Sequence, residues 1–238
     1  MSKRKFSRRE VGYPNNTRTT KVHRNLANSI NTISSSGNTA SRFLNIYDLT
    51  KIPKTTDNDV NYRQRNVINL IGWKIYFQIQ NKTIFPMYLN WAICAARNDN
   101  VDYTDPANKA TLEAGFFSAP YNPDKNVPFD FALNSMQLYK YPINPDNLVV
   151  LKHKRYEIGG QYSGAATVDV NYKNNTRTMS KFYRLKRQLR YTGDGGETCM
   201  NRVFLMWWYD LAGTPQTDSG EANAAHITQE VHAYFREP

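Results

Sequence analysis

The sequence predicts an all-β body, a sandwich or jelly roll of seven or eight strands, behind a basic N-terminal arm. Two patterns predict the strands. The first is period-two alternation: Ile71, Trp73, Ile75, Phe77 and Ile79 fall on one side of the run 71–80, and Lys74, Tyr76, Gln78 and Gln80 on the other. The second is a pair of runs apolar at nearly every position, Met87 to Ala96 and Val203 to Tyr209. Strands of that kind are covered on both faces, here by the opposite sheet and, on the outer side, by a neighbouring subunit. A third observation, uneven charge, predicts the arm. Eight Lys and Arg among the first 24 residues stand against one acid, Glu10, a formal +7 of the chain's +11.

The alternation recurs along the body. Ile227, Val231, Ala233 and Phe235 face one way, and His226, Thr228, Glu230, His232, Tyr234 and Arg236 the other. Tyr183, Leu185, Leu189 and Tyr191 share a face, opposite Arg184, Lys186, Gln188 and Arg190. A helix over 181–191 would have no clean apolar stripe. Residues 148–158 read as a further strand, and residues 43–52 as the first, ending before Pro53. Six prolines divide residues 100–147 into loops and short pieces, with a short helix near 130–139. Asn174-Asn175 and the Gly-Asp-Gly-Gly run at 193–196 suit turns.

Two segments follow from this. Residues 1–42 are the arm and a polar hinge, and residues 43–238 are one β-domain. The hinge, rich in Asn, Ser and Thr, reads as a flexible tether. With 40 % hydrophobic residues and 31 aromatics the body has ample core material. The arm residues Lys3, Arg4, Lys5, Arg8, Arg9, Arg18, Lys21 and Arg24 repel one another and stay extended until they meet a polyanion. The whole-chain isoelectric point near 9.6 points to nucleic acid. No helix-turn-helix, zinc-finger or RRM pattern accompanies the arm, so the expected contact is with phosphate and independent of sequence. The same cluster suits a nuclear import receptor.

Other classes are disfavoured. The longest strongly apolar run is far short of the roughly 20 residues of a spanning helix, so membrane insertion is not expected. No apolar segment follows the positive start, so a secretory signal is not expected. Cys94 and Cys199 lack metal-ligand spacing and read as reduced, buried thiols. His23, His153, His226 and His232 are scattered, and no nucleophile–base pattern appears. The chain is expected to be no enzyme and to need no cofactor or metal. Trp73, Trp207 and Trp208 read as core or interface rather than as stacking platforms for bases.

Taken in order, these parts resemble the capsid proteins of small circular single-stranded DNA viruses that encode a replication initiator, the circovirus- and geminivirus-like group. The likeness rests on the Arg-rich arm; on Asn61–Phe77 (NYRQRNVINLIGWKIYF); on Asn147–Glu157 (NLVVLKHKRYE); and on Lys181–Tyr191 (KFYRLKRQLRY) followed by Val203–Tyr209 (VFLMWWY). The closing strand that ends at Phe235–Pro238 also fits. The motifs are loose, and the likeness lies in their order and spacing over residues 43–236. The resemblance implies an eight-stranded viral jelly roll, sixty copies closing into an icosahedral T=1 virion, and arms directed inward onto a single-stranded DNA genome. It implies assembly in the host nucleus and recognition of a host-surface receptor.

The arm is shorter and poorer in Arg than in many circovirus-like proteins, so an inner wall has to share the packaging. The residues assigned to it are Arg63, Arg65, Lys152, Lys154, Arg155, Arg184, Lys186 and Arg190. For the Arg184/Lys186/Arg190 face the plainer reading, a solvated sheet face or a row of subunit salt bridges, is the favoured one. Two rival readings remain: a jelly-roll module that binds nucleic acid or carbohydrate, and the capsid of an RNA satellite virus. Arm electrostatics treats DNA and RNA alike.

Overall fold

A computed structural model describes residues 20–25, 44–55, 62–81, 86–98, 101–119, 122–129, 141–160, 175–192, 199–211 and 225–238. The first sheet runs β1 (Lys21–Asn25), β11 (Ala225–Arg236), β3 (Val67–Asn81), β8 (Thr176–Tyr191) and the two-residue β9 (Cys199–Met200). The second runs β2 (Asn45–Asp48), β10 (Val203–Leu211), β4 (Met87–Ala96) and β7 (Leu148–Ile158). Every pairing in them is antiparallel. Setting β9 aside and counting the other eight strands in chain order, the sheets read 1-8-3-6 and 2-7-4-5. That is the strand order of two Greek keys wound into a jelly roll, the predicted fold.

The main core lies between the sheets, where the alternation puts it. Trp73, Ile75, Phe77 and Ile79 of β3 meet Leu89, Trp91 and Ile93 of β4, with Leu205 and Trp207 of β10 beside them. The buried indoles bond inside the core: Trp73 Nε1 donates to the Leu49 carbonyl and Trp207 Nε1 to Gln229 Oε1, both at 2.8 Å. Trp208 is buried on the other side of β10, so all three of these tryptophans are core. Cys94 and Cys199 are buried free thiols.

The period-two reading fails at one point. Ile71 was expected in the core, but it is the extra residue of a β-bulge: Tyr234 pairs with Gly72 and Phe235 with Leu70, leaving Ile71 unmatched. The bulge switches the phase, so Ile68 and Leu70 are buried before it and Trp73 and Ile75 after it. Gly72 is required there, because a Cβ would stand 2.2 Å from the Tyr183 carbonyl oxygen.

The outer face of β4 and β10 is covered by the chain itself rather than by a neighbour. Residues 101–148 supply α1 (Pro106–Ala114) and the hairpin β5 (Phe117–Ala119) with β6 (Asn122–Val127). Phe116, Phe117 and Phe129 of this insertion pack on Trp208, Phe116 at 5.3 Å between ring centroids. The prolines concealed α1. Pro106 opens the helix, and the Asp105 carboxylate caps it by accepting from the backbone N–H of Ala107 and Asn108. The helix expected near 130–139 lies outside the described residues. An Arg202–Asp102 ion pair, with Asp48 3.7 Å from the same guanidinium, ties the insertion to the end of β2.

Residues 21–24 of the arm and Asn25 of the hinge form β1 along β11, from Lys21 opposite Phe235 to Asn25 opposite Val231. His23 of this strand is buried near Tyr62, ring centroids 5.7 Å apart.

Candidate nucleic-acid interface

Alternation that buries one face of the first sheet presents the other outward, and pairing aligns the outward side chains in rows. One row crosses four strands as Arg24, His232, Lys74 and Phe182. The next is Val22, Tyr234, Gly72 and Arg184, and a third joins Arg236, Asn69 and Gln188. Arg24, Phe182, Arg184, Lys186, Arg190 and Arg236 are exposed. Glu230 is the only acid in these four strands, and it is bonded to His232 Nε2. The face is therefore cationic with aromatic rings set into it: Phe182 against Tyr234 at 5.4 Å, and the Lys74 ammonium 4.8 Å from the Tyr76 ring centre. The Tyr76 hydroxyl holds the Lys74 pKa above the usual lysine value, so Lys74 stays charged.

At the bulge the face deepens into a groove of about 520 Å³. Arg184, Lys186, Arg187 and Arg236 line it, with Asn69, Ile71 and Gln188, and no acid stands among these lining residues. Lys186 and Leu185 lie in the stretch of β8 where the register with β3 shifts, which sends Arg187 to the groove. The groove lies beside the arm's point of departure. Thr20, the residue before β1, accepts a hydrogen bond through Oγ1 from Arg236 Nε at 3.2 Å. Lys21 pairs with Glu237 at 2.8 Å. Burial alone would raise the Glu237 carboxyl, but Lys21 and the backbone N–H groups of Gln64 and Arg65 outweigh it and hold the pKa below the usual glutamate value. A charged clasp thus sits where arm and body join.

The sixteen basic residues singled out by sequence separate into groups. Lys3, Arg4, Lys5, Arg8, Arg9 and Arg18 lie outside the described residues. Arg24, Arg184, Lys186 and Arg190 share the outer face just described, and Arg190 also bonds Gln188 at 3.3 Å. Lys21 lies at its margin, committed to Glu237. Arg65 is exposed, but its guanidinium bonds the chain-end carbonyl of Pro238.

Arg63 is a correction. It is wholly buried, donating through Nε to the Ile52 carbonyl at 2.8 Å, with its guanidinium 3.8 Å from the Tyr191 ring centre. An arginine this enclosed anchors the 49–55 loop and is closed to phosphate. Lys152, Lys154 and Arg155 lie apart on β7, at the edge of the second sheet, away from the outer face that carries Arg184, Lys186 and Arg190. Arg155 stands over the Tyr88 ring at 3.9 Å. Lys74 and Arg236 share this outer face as well, and the alternation puts both on outward positions.

Among the described residues no helix is long and apolar enough to cross a membrane, and no group of three His, Cys, Asp or Glu residues could hold a metal ion. The fold and the face define an all-β jelly roll with a cationic, aromatic-studded outer sheet beside its N-terminal arm. Neither a family model nor a curated protein matches this chain.

Proposed function

We propose that this chain is the capsid protein of a small single-stranded DNA virus. It self-assembles into an icosahedral shell and packages the genome through its basic arm and the outer face of the β1-β11-β3-β8 sheet. The observation that carries the reading is the continuity of the two basic regions: the arm leaves the body at Thr20, against Arg236 and the groove lined by Arg184, Lys186 and Arg187. A strand held by the arm would find a second set of cations beside Thr20. Neutralising phosphates in this way releases counterions and needs no base-specific contact.

Self-association is supported by the other sheet. Val149, Val150 and Leu151 of β7 are 43, 40 and 41 % exposed, and among the described residues no strand pairs with the outer edge of β7. Exposed apolar edges are sites of association. The preference for DNA over RNA comes from the resemblance. The host nucleus as assembly site, an import receptor and a host-surface receptor belong to the same reading.

Electron microscopy of the purified protein, with nuclease digestion of its contents, tests the proposal. Uniform closed particles holding DNase-sensitive, RNase-resistant nucleic acid are expected. Monomers or dimers that never close would overturn it in favour of a binding module, and RNase-sensitive contents would make it an RNA capsid.

A further inference from the structure

Among the described residues the sandwich is open along one side. β7 ends the second sheet, and the first half of β8 ends the first, because β9 reaches only Arg190 and Tyr191. Between these two edges lies a cleft of about 280 Å³. Ile75, Phe77 and Trp91 line its depth, and Tyr156, Lys181 and Tyr183 its mouth. Arg177 stands over the Tyr156 ring at 4.4 Å, and Tyr183 meets Trp91 edge-on at 5.2 Å. In register Lys154 is opposite Trp91, so it projects toward the same side of its sheet. No acid lines the cleft among the described residues.

Trp91 supplies a second, independent observation. It is 2 % exposed, and its Nε1–H has no hydrogen-bond partner. Trp73 and Trp207, in the same core, are both satisfied. A buried N–H without an acceptor is uncommon, because it forfeits its hydration for nothing. The cleft therefore combines a lining tryptophan whose donor is unmet, aromatic walls and a cationic mouth. Its volume lies just below the roughly 300–1,000 Å³ of pockets for drug-sized molecules, which suits one planar group rather than a run of them.

We propose that this cleft receives one nucleotide of a bound single strand. The base enters among Tyr156, Tyr183 and Trp91, and its phosphate meets Lys181 and Lys154. Stacking on aromatic rings tolerates any base, so the site adds grip without demanding sequence. The inference rests on the reading of the chain as a single-strand binder and differs from it in place and in contact, since the outer face and arm engage phosphate.

The test irradiates the full-length protein with a single strand carrying 5-bromodeoxyuridine and locates the adducts by tandem mass spectrometry. Adducts on Tyr156, Tyr183 or Trp91 are expected, falling at least fivefold in Lys181→Glu, a rim variant that leaves the core intact. Trp91→Phe, which removes the N–H donor, should lower them too. Competition by deoxyadenosine monophosphate would show that a free nucleotide also enters; its absence, with adducts present, would confine the site to a strand. Adducts confined to Phe182, Tyr234 or the arm would overturn the cleft while sparing the proposed function. A strand that is not retained at all would overturn both.

Discussion

Gly72 and Arg63 show how single residues set the shape of the interface. The bulge at Ile71 brings Gly72 so close to β8 that any side chain would strike the Tyr183 backbone, which cannot swing aside as a side-chain tip can. Gly72→Ala should cost about 3 kcal/mol, as overpacking at an unyielding backbone does, and thermal unfolding measures it. Arg63 looks in sequence like another basic residue of a Tyr-Arg-Gln-Arg run, yet it is enclosed by Ile52, Arg65 and Tyr191. Arg63→Ala should destabilise the fold by about 3 kcal/mol, because buried carbonyls lose their donor. In the folded protein its affinity for single-stranded DNA should match that of the wild type. Chemical denaturation and filter binding separate the two effects, and unaltered stability with weakened binding would return Arg63 to the interface. The sequence holds no sign that distinguishes it from Arg65, because burial here is decided by loop packing and not by alternation.

At the scale of elements, strand phase was legible where one face is buried and the other wet, save at the bulge in β3. β4 and β7 lie where the residue pattern puts them, and the two faces of β8 and β11 divide as the alternation predicts. What stayed hidden depends on a distant partner. β1 has one strongly apolar residue in five, and only the edge of β11 makes a strand of it. The cover over Trp208 comes from an insertion whose prolines read as breaks. The interface was half visible: its β8 cations were, but its junction with the arm required knowing that β1 and β11 are neighbours.

The clasp at that junction gives two predictions. Removing residues 1–19 should leave the fold intact, whereas removing 1–25 strips β11 of its edge partner and should lower the thermal midpoint by several degrees. An equal midpoint for both deletions would contradict the pairing of β1. Glu237 makes the clasp sensitive to acid. Its folded pKa is depressed, so its contribution is present above the unfolded value of about 4.5 and lost as pH falls through the folded value. Glu237→Gln should be less stable than the wild type at neutral pH, and the two should converge on acidification. Thermal midpoints measured from pH 7 to pH 3 would show it, and a constant gap between the two proteins would contradict it.

For the whole molecule, the account divides labour between two sheets. In the proposed function the β1-β11-β3-β8 sheet and the arm would hold polyanion, and the other sheet, with its insertion and its apolar β7 edge, would support association. The +11 charge of the chain would oppose the packing of many copies unless polyanion neutralised it, so shell formation and genome uptake should be coupled. The most direct measurement of this division is single-strand affinity as a function of salt for three proteins: the full chain, the chain lacking residues 1–19, and Arg184→Ala/Lys186→Ala/Arg190→Ala. For single strands the slope of log affinity against log salt changes by about 0.7 per phosphate contact. The account predicts a steep slope for the full chain, a shallower one without the arm, and a loss of about 2 from the slope in the triple variant. A triple variant with the wild-type slope would contradict it and leave the arm to act alone.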